Sequence, residues 1–271
     1  KDLILYALSL GMDDKKELKY LYENHEKFMA VPTFCFTFTF WAQKKNQRNN
    51  LSTTTTQGIP RFPPPIMSET KVIPSRFLLH STDISNLPVI HIRQSISWHQ
   101  PLKIPDSNHH QSSAIVKYRI NQETISVKPK SIGTFVTTQS KVHHNDDDDD
   151  NQQQIICTMQ STALVYGVDP KDVIPFDADH MSNIPPTKKS SASQKKPLPP
   201  LFEWTYETSQ SQALFYRMTS GDSNHIHVDA SSTSDMIPGA KAPILHGLFT
   251  LALAYRAILK FFDNSKDELF F

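Results

Sequence analysis

Within the eight residues Ser220-Gly221-Asp222-Ser223-Asn224-His225-Ile226-His227 the chain sets a carboxylate, an amide and two imidazoles beside a glycine. A carboxylate and an imidazole that converge on one water can take its proton and return one to a neighbouring carbon, which is general acid–base chemistry. Asp222 and His227 are five positions apart, a gap that does not align two side chains on a regular helix. It suits a turn on which the two converge, with Asn224 between them. Taken singly, each residue has a plainer role: Asp222 and Asn224 are turn formers and helix caps, and His227 could be a satisfied, partly buried histidine. His225-x-His227 has the form of a metal pair, but no cysteine or further ligand stands near it, so acid–base work ranks above a metal site.

The elements that must position these groups follow from what flanks them. Pro243-Ile244-Leu245-His246-Gly247 leads into an apolar run over 248–262 that is rich in Leu and Ala, both good helix formers. A helix apolar nearly all round belongs inside a fold. The run holds Arg256 and Lys260, with His246 just before it, and these are costly in hydrocarbon, so a core helix is expected rather than a membrane span.

At 271 residues the chain can hold one large domain or two ordinary ones. Pro 19 against Gly 7, with 38% hydrophobic residues, assigns part of that length to segments outside the core. The net charge of +1 gives no electrostatic reason to expect nucleic acid or an anionic membrane as partner. Cys35 and Cys157 are far apart in sequence and lack ligand spacing, which argues against a disulfide framework and for a reducing compartment. No signal peptide is visible, and a chain that starts at Lys1 reads as a piece of a longer product.

In chain order, 1–28 carries apolar residues at helical spacing, with a stop at Gly11 and an end at Pro32. Thr33 to Trp41 alternates hydroxyl and aromatic side chains, the period-2 mark of a strand with one buried face, or else a buried helix, which the Thr residues argue against. Residues 43–74 are polar and Pro-rich and read as an insertion. Short apolar stretches recur from Phe77 to Trp98, with His80 and His91 among them. Ile115 to Ile120, Gly133 to Thr138 and Ile155 to Val165 read as antiparallel strands. The aspartate run in 143–154 reads as a solvated hairpin tip, and 169–200, with its Lys pairs and prolines, as an interdomain linker.

The run from Tyr216 to Asp229, followed by Pro243-Ile244-Leu245-His246-Gly247-Leu248, resembles the hydratase 2 motif of the MaoC-like hot-dog enzymes, roughly Y-R-L-S-G-D-x-N-P-L-H-I-D-P and then P-I-L-H-G-L. Asp2 to Leu8, and Leu18 to His25 with Val31-Pro32-Thr33-Phe34, look like the start of the hydratase 2 part of eukaryotic peroxisomal multifunctional enzymes. The resemblance implies an α+β chain of two hot-dog units, each a long helix wrapped by an antiparallel sheet. The first, 1–168, would bind the acyl chain; the second, 201–271, would carry the chemistry and be incomplete.

The implied reaction is (R)-specific hydration of a trans-2-enoyl-CoA to a (3R)-3-hydroxyacyl-CoA in fatty-acid β-oxidation. By the motif, Asp222 and His227 hold the water and share the acid–base work, Asn224 orients it, and the Gly247 N–H meets the thioester oxygen. Helix N-termini favour negative charge, so that last role is physically natural. The resemblance calls for no metal and no redox cofactor, an acyl-CoA as substrate, a homodimer and a peroxisomal location, although Glu268-Leu269-Phe270-Phe271 is not a peroxisomal signal.

His225 stands where the family has Pro, which would loosen the turn, and two extra residues lie between His227 and Pro243. A second unit ending at Phe271 would leave the 248–262 helix partly unwrapped. The same site could run as a 3-hydroxyacyl thioester dehydratase in synthesis, or the chain could be a non-catalytic acyl-CoA-binding fragment.

Overall fold

The computed structural model describes residues 1–13, 15–42, 72–79, 87–104, 116–144, 154–178, 199–237 and 239–264. The insertion expected at 43–74, the aspartate run, the Lys pairs of the linker, His80, Ile115 and the last residues fall wholly or mainly outside the described residues.

Five antiparallel strands form one sheet in the order β1-β4-β3-β2-β5. They are β1 (Val89–Trp98), β2 (Tyr118–Lys130), β3 (Gly133–His144), β4 (Ile155–Val165) and β5 (Phe176–Asp177). β3 and β4 pair antiparallel on either side of the aspartate run, as a hairpin requires. The strands β2 and β3 are longer than the alternation alone suggests, because the register from Tyr118↔His144 to Lys130↔Gly133 carries the ladder through polar residues. The linker expected over 169–200 begins later than its composition implies. Asp169 caps a short 3₁₀ turn by accepting from the Lys171 N–H at 2.9 Å, Val173 bridges to Leu78, and β5 pairs with β2. Phe176 stacks on Phe77 at 5.0 Å, which anchors this stretch in a small core with Ile73, Val127, Val136 and Val165.

The helices are α1 (Asp2–Ser9), α2 (Leu18–Leu21), α3 (35–42), α4 (Gln212–Ser220), α5 (Ala230–Met236) and α6 (Gly247–Asn264). The helical stretch expected over 1–28 is thus two short helices, with the chain in turns after Tyr22. Residues Thr33 to Trp41 are not a strand: a 3₁₀ turn over Pro32–Phe34 runs into α3. Thr33, Phe34, Cys35, Phe36, Thr37 and Phe38 are all buried, which no strand with one wet face permits. The threonines that imitate a polar face turn their hydroxyls back onto the helix instead, Thr37 to the Phe34 carbonyl at 2.8 Å and Thr39 to that of Phe36 at 3.0 Å.

The main core joins α1, α3, the Cys157 end of the sheet and α6. Leu248, Phe249, Ala252, Tyr255 and Leu259 lie buried in it, while Ala254 and Ile258 stay exposed. α6 therefore buries one side, with the Tyr255 ring 5.0 Å from Trp98 of β1, and leaves the other in part uncovered. Burying large side chains of this kind contributes about 1.5–3 kcal/mol each. Cys35 and Cys157, distant in sequence, are both buried in this core as free thiols. The hydrogen bond between them, with burial, holds the Cys35 thiol well above its usual pKa.

One polar link ties the ends of the fold together. Arg256 of α6 donates to both Glu17 oxygens, at 2.7 and 2.8 Å, and to the Leu10 carbonyl at 3.0 Å. Trp204 and Tyr206 lie against its guanidinium, with ring centroids at 5.6 and 5.7 Å. No described helix is long and apolar enough to cross a membrane.

Candidate active site

The site is assembled by α4, a turn, and the N-terminus of α6. α4 docks on α1, where Gln212 donates to the Ser9 carbonyl at 2.6 Å and Thr219 to the Ser9 hydroxyl at 2.9 Å. Its buried Tyr216 packs between Tyr6 and Phe249. α4 ends at Gly221 in the left-handed region, φ 82°, a conformation that costs glycine least. That reversal delivers Asp222 into the interior.

Two side chains then fold the turn onto itself. Asp222 Oδ1 accepts from the Asn224 N–H at 3.1 Å, and Asn224 Oδ1 accepts from the Ile226 N–H at 3.3 Å, capping a 3₁₀ turn over His225–His227. The capping roles open to these residues are therefore real, and they leave chemistry free: Asp222 keeps Oδ2 and Asn224 keeps its amide N–H groups. His225 in place of Pro does not undo the turn, since the Val228 and Asp229 N–H groups both bond the His225 carbonyl, at 2.9 and 2.8 Å. The residues between His227 and Pro243 form α5, capped by Asp229, which accepts from the Ser231 and Ser232 N–H groups and hydroxyls. Those bonds hold its carboxyl well below the usual range.

Asp222 and His227 are 8% and 7% exposed, and Asp222 Oδ2 stands 4.0 Å from His227 Nε2. That is beyond a direct hydrogen bond and suits a pair that shares one water. His227 Nδ1 lies 2.9 Å from the Ile244 carbonyl, which can only accept, so Nδ1 donates there and Nε2 is the nitrogen left facing Asp222.

Residue types and spacing assign no role to His246, although it stands next to Gly247. Its ring is 0% exposed and stacks on His227, centroids 3.7 Å apart and planes 25° apart. The Asp222 main chain lies beside it and favours its charged form, but neither ring nitrogen makes a well-aligned hydrogen bond. Burial, with the His227 charge next in weight, pushes its pKa down to about 3, so it is neutral at working pH. Asp222, His227 and His246 each offer one ligand atom within 4.8 Å of the others, which makes them the three groups here that could hold a cation; His225 is not one of them.

The low pKa of His246 has a sign. In the unfolded chain this histidine binds a proton below its ordinary 6.5, while in the fold it does so only near 3. Its contribution is complete above pH 6.5 and is lost as pH falls toward 3, on the order of a few kcal/mol in total. Thermal melts of the native chain and of His246→Phe across pH 7 to 4 check this: the variant's Tm is expected to fall less steeply. Parallel slopes would show that His246 does not carry the effect.

Gly247 opens α6 and is exposed. Neither its backbone angle nor its packing demands glycine: its φ is not positive, and a Cβ there would meet only the His91 Nδ1, at 3.9 Å. What a Cβ would fill is open space at the start of α6, next to the His246 that stacks on His227, where the first-turn N–H groups of a helix have no intrahelical partner.

With this geometry in view, comparison with known proteins gives two domain matches. Residues 192–267 match the MaoC like domain. Residues 1–59 match the MFE-2 hydratase 2 N-terminal domain. The chain carries both domains. Peroxisomal multifunctional enzyme type 2 of Drosophila melanogaster is 27% identical over the whole chain, which spans 37% of that protein. Enoyl-CoA hydratase 2, peroxisomal, of Arabidopsis thaliana is 26% identical over 96% of the chain and 70% of its own length. Among solved structures, a MaoC-like dehydratase from Phytophthora capsici superposes with a TM-score of 0.59 at 25% identity, covering 96% of this chain and 70% of that one. The five-stranded antiparallel sheet with its helices is the α+β hot-dog architecture of these MaoC-like neighbours. Asp222, Asn224, His227, His246 and Gly247 all lie inside the MaoC-like match.

Proposed function

We propose that the chain is a hydro-lyase acting on enoyl thioesters, an (R)-specific enoyl-CoA hydratase of the hydratase 2 type in fatty-acid β-oxidation. The observation that carries this is the buried Asp222–His227 pair, 4.0 Å apart, with His227 stacked on His246, the residue that precedes the open N-terminus of α6 at Gly247. A water held between Asp222 Oδ2 and His227 Nε2 loses its proton to this pair as its oxygen bonds C3, and the pair returns a proton to C2. Charge gathers on the thioester oxygen meanwhile, where the Gly247 N–H and the helix dipole stabilise it. Asn224, with its carbonyl committed to Ile226, has its amide N–H groups left to orient the water.

The chemistry calls for no metal and no redox cofactor. The names of the Drosophila and Arabidopsis relatives support a peroxisomal location and an acyl-CoA substrate, with the acyl chain against the first unit. Pairing of two copies through their sheets is the arrangement expected of hot-dog proteins. The site could also run in reverse as a 3-hydroxyacyl thioester dehydratase, since the same groups serve both directions.

The test is loss of the conjugated enoyl thioester absorbance when the purified chain meets a medium-chain trans-2-enoyl-CoA, with chiral analysis of the product. A (3R)-hydroxyacyl-CoA is expected. Folded protein without turnover would sink the proposal and favour a binding role. Gly247→Ala sharpens it: a methyl meets no backbone or core atom, so Tm is expected to hold or rise slightly, while kcat/KM falls at least about tenfold because the methyl takes the thioester's place. An unchanged kcat/KM would remove Gly247 from the site.

A further inference from the structure

His91 sits on β1, the edge strand of the first unit, yet the fold brings it to the site that the second unit builds. Among the described residues outside Gly247's own neighbours and helix, the His91 Nδ1 is the one atom within 4 Å of where a Gly247 Cβ would stand, and the His91 ring feels the Asp222 charge. The placement depends on a bulge. His91 pairs with Ala163 and Arg93 with Thr162, so Ile92 is an extra residue and the two flanking side chains point to opposite faces. Gln94, Ile96 and Trp98 pair with Ser161, Met159 and Cys157, and Ile96 and Trp98 lie against the main core. By that alternation the bulge puts His91 on the helix-facing side with them. Without it, His91 would share the outer face of Arg93, Ser95 and Ser97. Bulges recur next to active sites for this purpose. The Arg93 main chain and the Gln94 side chain lie beside the imidazole and in part favour its charged form, while the ring's Nδ1 is the nitrogen turned toward Gly247. Crowding by protein lowers its pKa, so it stays neutral, yet the residue is exposed and open to a ligand.

We propose that His91 is a further substrate-contacting residue: it donates a hydrogen bond to the thioester oxygen beside the Gly247 N–H, so that the first unit supplies half of the oxyanion site. This rests on the hydratase function proposed above. A neutral imidazole suits the task, because it polarises a carbonyl without presenting a charge that the ground-state thioester would have to meet.

The test separates this contact from the parent function. In an Asp222→Asn background, which binds without turning over, the carbonyl stretch of bound ¹³C-labelled trans-2-enoyl-CoA is read by difference infrared, with and without His91→Leu. A stretch moved to lower wavenumber, with a smaller displacement once His91 is Leu, is expected. In the otherwise native chain, His91→Leu should lower kcat by about 10- to 100-fold with KM within about twofold, and His91→Gln, which keeps an N–H, should recover much of it. A displacement that is the same with and without His91, or a loss confined to KM, overturns the proposal while leaving the hydratase intact. If the Asp222→Asn chain binds no enoyl-CoA, the hydratase function itself falls, and this contact with it.

Discussion

Asp222→Asn is expected to lower kcat for enoyl-CoA hydration by about 10²-fold or more, with acyl-CoA affinity changed little. The reason is specific to how the carboxylate is used. Oδ1 holds the turn by accepting from the Asn224 N–H, and an amide oxygen can do that equally well, so the fold should survive. Oδ2, 4.0 Å from His227 Nε2, is the atom replaced by an amide NH2, which cannot take a proton. His227→Gln should cost about as much, and the double variant little more than either single, because two groups that share one water act as a unit. Steady-state kinetics beside a binding isotherm for the saturated acyl-CoA check this. Native turnover in either single variant would strip that residue of its role, and fully additive losses would show that the two act separately.

The second large effect is on stability and lies outside the catalytic pair. Glu17→Ala leaves the Arg256 guanidinium, 3% exposed, without the carboxylate that takes two of its hydrogen bonds. Breaking a buried ion pair from one side costs about 3–5 kcal/mol. The Leu10 carbonyl, Asp13 at 3.7 Å and the Trp204 and Tyr206 faces remain, which places the expected loss toward the lower figure. Replacing both partners, Glu17→Met with Arg256→Met, should recover most of the loss, because no charge is then stranded in the core. Urea unfolding of the three proteins decides it. A double variant as unstable as Glu17→Ala would mean that the pair's hydrogen bonds, not the stranded charge, dominate.

The Asp222–Asn224–His227 turn and the 247–264 helix were legible from residue types, because capping residues, glycine and an apolar run act locally. α3 was not. Its alternating Thr and Phe residues carry a strand's period, and only the burial of both sets, with the Thr hydroxyls satisfied inside the helix, decides for a helix. The linker's start was misplaced because two residues of β5 gain their order from β2, far back in the chain. His246 and Glu17 became meaningful only through partners: a stacked ring 19 positions away and a guanidinium 239 positions away. His91 depends on a one-residue bulge, which nothing in its neighbours' side chains announces.

The Glu17–Arg256 link bears on how the chain comes to be folded. The core that α1 and α3 begin is closed by Phe249, Ala252, Tyr255 and Leu259, so these helices wait for residues made much later. Contacts this distant in sequence repay their loop-closure entropy only once α6 has been made. The shared core predicts that α1, α3 and α6 unfold as one cooperative unit. Until α6 arrives, Tyr216 and Trp98 lack the Phe249 and Tyr255 rings that pack on them, and in that interval the nascent chain exposes apolar surface to chaperones and to aggregation.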